Sequence, residues 1–75
     1  PHQPSVNILK KTAEVTGIPW DRFHTNMDRY ANTSGATIPL VLDEVNKQKK
    51  IKRGDLVLMI AVGSGWTWGA SILRW

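Results

Sequence analysis

The sequence predicts an α/β fold in which a helix, a strand, a helix and two further strands follow one another and share a mixed sheet. Three observations carry that prediction. Ile38, Val41, Leu42 and Val45 recur at i, i+3, i+4 and i+7, the apolar stripe of an amphipathic helix. Leu56 to Val62 is an unbroken run of seven apolar residues, too short for a buried helix and rich in β-formers, so it reads as a strand covered on both faces. Gly63-Ser64-Gly65 then turns the chain into Trp66–Trp75, which returns as the last strand of an antiparallel hairpin.

The first helix opens at Pro4 and Ser5, with Ser5 as N-cap, and places Val6, Leu9, Ala13 and Thr16 on one face. Gly17 ends it and Pro19 prevents its return. In Arg22–Met27, Phe23, Thr25 and Met27 alternate with Arg22, His24 and Asn26, the period of a strand with one buried face. Joined to Leu56–Val62 through a helix, that strand would run parallel to it. The second helix spans Ser34 to Gln48, with Thr33 or Ser34 as its hydroxyl cap and Pro39 bending its early turns. Lys47, Lys49 and Lys50 favour the negative pole at its end. Gly69 marks a place of close approach within the last strand.

Seventy-five residues without cysteine set a single small domain, residues 1–75, with a thin core and no disulfide or thiolate metal site. No apolar run approaches the ~20 residues that span a bilayer, and no signal-peptide pattern opens the chain, so it reads as cytoplasmic and not membrane-bound. The chain begins Pro1-His2 without methionine, as the tail of a longer protein would. Net charge is +4, and the Lys47, Lys49, Lys50, Lys52 and Arg53 cluster reads as a solvated helix end, not as a nucleic-acid footprint. His2 and His24 lack acidic or sulfur partners at metal-ligand spacing. Asn32-Thr33-Ser34 matches a glycosylation pattern but lacks the secretory context that would use it. Trp66 and Trp68 share a strand face and read as packing residues.

The polar residues left to do chemistry fall at helix starts and at one turn. Asn32 sits among the small residues Ala31 and Thr33 to Thr37, immediately before the second helix, and His2 precedes the first. With both helix N-termini at one sheet edge the two side chains converge, and Gly63-Ser64-Gly65, after the buried strand, lands on the same edge. Two donors and a turn with exposed N–H groups suit an oxyanion. No nucleophile accompanies them: there is no cysteine, and no serine is placed beside His2 and an Asp.

His2-Gln3, Asn32-Thr33-Ser34, Gly54-Asp55-Leu56-Val57-Leu58, Gly63-Ser64-Gly65-Trp66-Thr67-Trp68-Gly69 and the final Arg74-Trp75 resemble, collinearly over all 75 residues, the C-terminal end of the β-ketoacyl-acyl-carrier-protein synthase III family. The resemblance implies the last quarter of a thiolase-like fold and a part in decarboxylative Claisen condensation. An upstream cysteine, absent here, would take the acyl group from acyl-coenzyme A. A malonyl thioester would then lose carbon dioxide and attack it. By resemblance His2 and Asn32 hold the malonyl thioester carbonyl as charge develops, and Gly63-Ser64-Gly65 gives a backbone N–H to the acyl-thioester oxyanion. The resemblance implies no cofactor beyond the acyl-CoA and malonyl thioester substrates. It also implies the cysteine-bearing part of the same enzyme as partner, acyl carrier protein or coenzyme A thioesters, and a homodimeric parent.

The sequence departs from the family pattern at several places. Ser5 and Asn7 stand where Asn and a carrier-contacting Arg are common, and Glu14 and Val15 replace basic residues, while Lys10 and Lys11 remain. The weak carrier or coenzyme A contact set is therefore Asn7, Lys10 and Lys11. Ala31 replaces a Gly, Val62 a Phe, and Ser64 a Gly that tolerates φ > 0. The alternative function is a basic binding module using Lys47–Arg53 toward an acidic partner. For the chain by itself, an open edge on Leu56–Val62 predicts either a rearranged three-stranded sheet, with Arg22–Met27 paired to it, or self-association.

Overall fold

A computed structural model describes all 75 residues, Pro1–Trp75. Helix α1 spans Val6–Thr16 and is capped as its sequence dictates. Ser5 Oγ accepts from Ile8 N–H at 3.2 Å, and Gly17, at φ 72°, returns its N–H to the Ala13 carbonyl. Helix α3 spans Thr37–Lys47 and turns Val41 and Val45 inward. With Leu9 of α1 these two make the whole fully buried apolar core, while Val6 and Thr16 of the expected α1 face remain exposed.

Pro39 does not interrupt α3. It is the third residue of the helix, where backbone N–H groups have no intrahelical acceptor, so its ring displaces no bond. Neither Thr33 nor Ser34 caps α3. A 3₁₀ turn, Ser34–Ala36, intervenes, and Thr37 instead donates its hydroxyl to the Ser34 carbonyl at 2.8 Å.

The strand expected at Arg22–Met27 is absent. Trp20–Arg22 forms a 3₁₀ turn, Phe23 is extended, and Met27–Tyr30 winds into a one-turn helix, α2. A strand needs a neighbouring ladder, and here the neighbouring place is taken. The N-terminal stretch contacts both candidate partners: His2 N–H donates to the Ile60 carbonyl at 2.7 Å, and Gln3 Oε1 accepts the Asn26 N–H at 3.0 Å. The parallel relation and the rearranged three-stranded sheet therefore do not form, and the sheet is not mixed. It has two antiparallel strands, β1 (Leu56–Gly63) and β2 (Thr67–Arg74).

The hairpin register runs from Leu56 opposite Arg74 to Gly63 opposite Thr67. Its open end is closed by Gly54 N–H to the Trp75 carbonyl at 2.7 Å and Trp75 N–H to the Asp55 carbonyl at 2.8 Å. β1 is not covered on both faces. By register Leu56, Leu58, Val62, Trp68 and Ile72 share one face, and all are exposed. Val57, Met59 and Leu73, on the other face, are half-buried. A groove of ≈ 720 Å³ lies between β1, including Val57, and the inner residues of α1 and α3, among them Thr12, Val41 and Val45. Trp66 and Trp68 pack against nothing large, being 89% and 78% exposed, and a Cβ at Gly69 would meet no atom within 4 Å.

With so thin a core, Leu9→Ala should lower stability by about 2–3 kcal/mol in urea unfolding followed by circular dichroism. Val15→Ala, at a position 74% exposed on the same helix, should change it by less than about 0.5 kcal/mol. Equal losses would mean that α1 packs by a different face.

Candidate active site

Asn32 lies on the short connection between α2 and the 3₁₀ turn, two residues before that turn. Its Oδ1 accepts the Ser34 N–H at 2.9 Å, a side-chain turn that fixes which way the amide faces. The Nδ2 group makes no hydrogen bond within the chain and stands on an exposed residue, so it is a free donor of fixed direction. Behind it Thr37, fully buried, shares a hydroxyl–hydroxyl bond of 3.0 Å with Thr33.

The residue before it carries the conformational load. Ala31 has φ 55° and ψ −153°, a region that glycine occupies freely and a Cβ does not. Ser34 also has φ 55°, in the left-handed region. The connection is thus held bent at both ends of Asn32-Thr33.

Arg29, in the last turn of α2, reaches α3. Its two terminal nitrogens meet the two carboxylate oxygens of Glu44, each at 2.7 Å. The guanidinium hydrogen bonds hold the Glu44 carboxyl below its ordinary value, and Glu44 in turn raises that of Arg29. Asp28 lies 3.9 Å from the Arg29 Nε on the outer side.

His2 is half-buried, with its backbone on Ile60 of β1, three residues before Gly63. Its imidazole makes no hydrogen bond within the chain. Gln3 and Asn26, 0% and 1% exposed, join the His2 stretch to the start of α2; the Gln3 Nε2 is buried without an acceptor, and the Asn26 amide faces the Glu44 carboxylate, whose pKa it helps to lower. His2 and Asn32 are linked by this relay and not by a direct bond, and neither lines the two principal hollows of the chain.

In the hairpin turn the left-handed conformation falls on Gly65, φ 75°, and Trp66, φ 46°, and not on Ser64. The serine in place of glycine is therefore unstrained. The N–H groups of Ser64 and Gly65 donate to no backbone carbonyl, and the Ser64 carbonyl accepts the Thr67 hydroxyl at 3.3 Å.

Asn7, Lys10 and Lys11 are exposed on α1, away from these groups. Lys10 stands 5.9 Å over the Trp20 ring and Lys11 pairs with Glu14 at 3.4 Å. In the basic cluster Lys47 is paired with Asp43 at 2.8 Å, while Lys49, Lys50, Lys52 and Arg53 remain exposed. His24 lines a second hollow with Asp21, Arg29, Glu44 and Lys50, and burial first, then the Lys50 charge, push its pKa down. No group of three or more His, Cys, Asp or Glu side chains is gathered to hold a metal ion. No helix is long and apolar enough to cross a membrane.

The profile of the 3-oxoacyl-[acyl-carrier-protein (ACP)] synthase III C-terminal family matches residues 1–75, the whole chain. The chain belongs to that family. It is 49% identical to the β-ketoacyl-[acyl-carrier-protein] synthase III of Aquifex aeolicus and 44% identical to that of Clostridium acetobutylicum, each over 75 residues. The crystal structure of the Aquifex synthase III superposes on the whole chain with a TM-score of 0.96, and that of Thermus thermophilus, 45% identical, with 0.94. The fold is therefore the C-terminal α/β region of a synthase III. The chain spans 23–24% of the length of these relatives.

Reasoning from sequence missed α2, the Arg29–Glu44 pair and the buried polar set of Gln3, Asn26 and Thr37. Asp28 in the first turn and Arg29 in the last were a local signal for α2. The ion pair spans fifteen positions and left no such signal.

Two predictions follow from this geometry. Strain at Ala31 is worth about 1–3 kcal/mol, and a glycine costs about 0.5–1 kcal/mol through the unfolded chain. Ala31→Gly should therefore raise stability by about 1 kcal/mol in urea unfolding. Because Glu44's folded pKa is lowered, its contribution is present above its ordinary value of 4.5 and is lost as pH falls through the lowered one. The stability difference between the parent and Glu44→Gln should stay constant from pH 7 to 5 and shrink on further acidification.

Proposed function

We propose that this chain is the C-terminal part of an acyltransferase that performs decarboxylative Claisen condensation in fatty acid or related acyl-chain biosynthesis. In this reading the C2–carboxylate bond of a malonyl thioester breaks, carbon dioxide leaves, and the electron pair passes into a thioester enolate. The His2 imidazole N–H and the Asn32 Nδ2–H stabilise the enolate oxygen. The enolate carbon then attacks an acyl group carried on a cysteine of the upstream part, and the cysteine thiolate departs. A free N–H in Gly63-Ser64-Gly65 meets the oxyanion of that second step.

The observation that carries the reading is the Asn32 side-chain turn. With Oδ1 tied to the Ser34 N–H, only the donor end of the amide is free, which suits an anion and not a cation. The shape agreement with two synthase III structures supports the placement of the chain in such an enzyme. His2 and Asn32 need an enclosing wall to act in a water-poor site, and the exposed Asn32 leaves that wall to the upstream part. Without the cysteine the 75 residues alone are inactive in condensation.

The substrates in this proposal are acyl-CoA and a malonyl thioester, with no further cofactor. The malonyl donor is held by acyl carrier protein or coenzyme A, and Asn7, Lys10 and Lys11 on the outer face of α1 are the contact candidates. A homodimeric parent and a cytoplasmic location belong to the same proposal.

The test is malonyl-thioester decarboxylation by the full-length parent. His2→Ala and Asn32→Ala should each slow carbon dioxide release by about 100-fold or more, the usual effect of losing an oxyanion donor. Parent-like rates in both variants would make the two residues structural and remove the reading.

A further inference from the structure

We infer that Arg29 is a positioning residue for the Asn32 donor, acting through its two-point contact with Glu44. The inference rests on the condensing-enzyme reading of Asn32 and adds to it the device that keeps the donor aimed.

The geometry is that of a clasp. The Arg29–Glu44 contact closes a loop of chain from the last turn of α2 into the middle of α3, and Asn32 lies inside that loop. On the α3 side the loop is well held: the Asn32 Oδ1 accepts the Ser34 N–H, the Thr37 hydroxyl donates to the Ser34 carbonyl, and the Thr33 and Thr37 hydroxyls bond each other at the helix entrance. On the α2 side it is not. α2 is one turn long, Asn26 at its start gives no side-chain cap, and beyond Arg29 its long-range ties are the Gln3–Asn26 bond and the Asn26 amide facing the Glu44 carboxylate.

Ala31 sits between these two sides in a conformation that a residue with a Cβ leaves unless it is held. Left to itself, α2 would swing to relieve Ala31 and would turn the peptide entering Asn32 with it. Two parallel hydrogen bonds between planar groups resist that swing, because they fix direction as well as distance. A lysine at position 29 could supply the charge but not the fork. Glu44 keeps its place as a carboxylate with a side chain only 20% exposed, and Asp28, the other acid near Arg29, faces outward at 77% exposure.

The experiment uses the full-length parent and four backgrounds: Arg29→Met, Arg29→Lys, the exchange Arg29→Glu with Glu44→Arg, and Arg29→Met combined with Asn32→Ala. Each is assayed for malonyl-thioester decarboxylation, with kcat and KM separated, and for acyl transfer to the cysteine. The second reaction does not use Asn32. Arg29→Met should lower the decarboxylation kcat by about 10- to 100-fold, the range expected when a reacting group is displaced by an ångström or less. KM should stay within about twofold and acyl transfer at the parent rate. Arg29→Lys should recover only part of kcat, and the exchanged pair more. In the Asn32→Ala background Arg29→Met should change nothing further, since the donor it positions is gone.

An Arg29→Met enzyme with parent decarboxylation overturns the inference, as does an equal further loss in the Asn32→Ala background. Loss of both reactions together also overturns it, by making the pair a general fold support. If Arg29→Met does not fold, Glu44→Gln, which keeps the shape and weakens the fork, is judged by the same readouts. Asn32→Ala with parent activity removes the underlying reading, whereas a slow Asn32→Ala beside an unaffected Arg29→Met removes this inference alone.

Discussion

The bond from the Asn26 N–H to the Gln3 Oε1 is the contact on which the arrangement depends. Both residues are almost wholly buried, so the bond forms where water cannot replace it and its loss would leave a bare amide inside the protein. It joins the stretch that carries His2 to the start of α2, and the neighbouring bond from His2 N–H to the Ile60 carbonyl joins that stretch to β1. Three segments remote in sequence are thereby fixed to one another by two hydrogen bonds. The Asn32 connection and the Gly63–Gly65 turn inherit their places from these ties. Apolar packing could not do this alone, because the fully buried apolar core is Leu9, Val41 and Val45.

Elements whose signals are local were legible in the sequence. Ser5 and Gly17 bracket α1 because a hydroxyl cap and a left-handed stop act within one turn. The hairpin was legible because an apolar run, a glycine turn and a return strand adjoin. Arg22–Met27 misled because alternation describes which side chains are buried and says nothing of whether a ladder partner lies alongside. The two small residues that bracket Asn32-Thr33 were informative in the opposite sense: Ala31 and Ser34 accept positive-φ backbone that their types do not favour, and only the structure reveals it.

The candidate site was legible in part. His2, Asn32 and the glycine turn were named from their places before helices and after a strand, with family resemblance supplying their roles. What sequence could not supply is orientation. The Asn32 amide presents only its donor end, and that follows from the Ser34 N–H lying 2.9 Å from its Oδ1. Arg29 and Glu44 would each pass for a solvated surface charge until seen face to face. The same holds for the strand run Leu56–Val62, whose apolar composition fits a covered position that this chain alone does not provide.

The hairpin closed at both ends has a further meaning. Gly65 and Trp66 fix one end by their backbone angles, and the paired bonds of Trp75 with Gly54 and Asp55 fix the other. A ribbon pinned twice cannot slide along itself. A slip of one residue would send Leu56, Leu58 and Val62 through to the opposite side, and it would have to break both pins to do so. The chain thus presents one surface of fixed handedness, a template already set when anything comes to cover it.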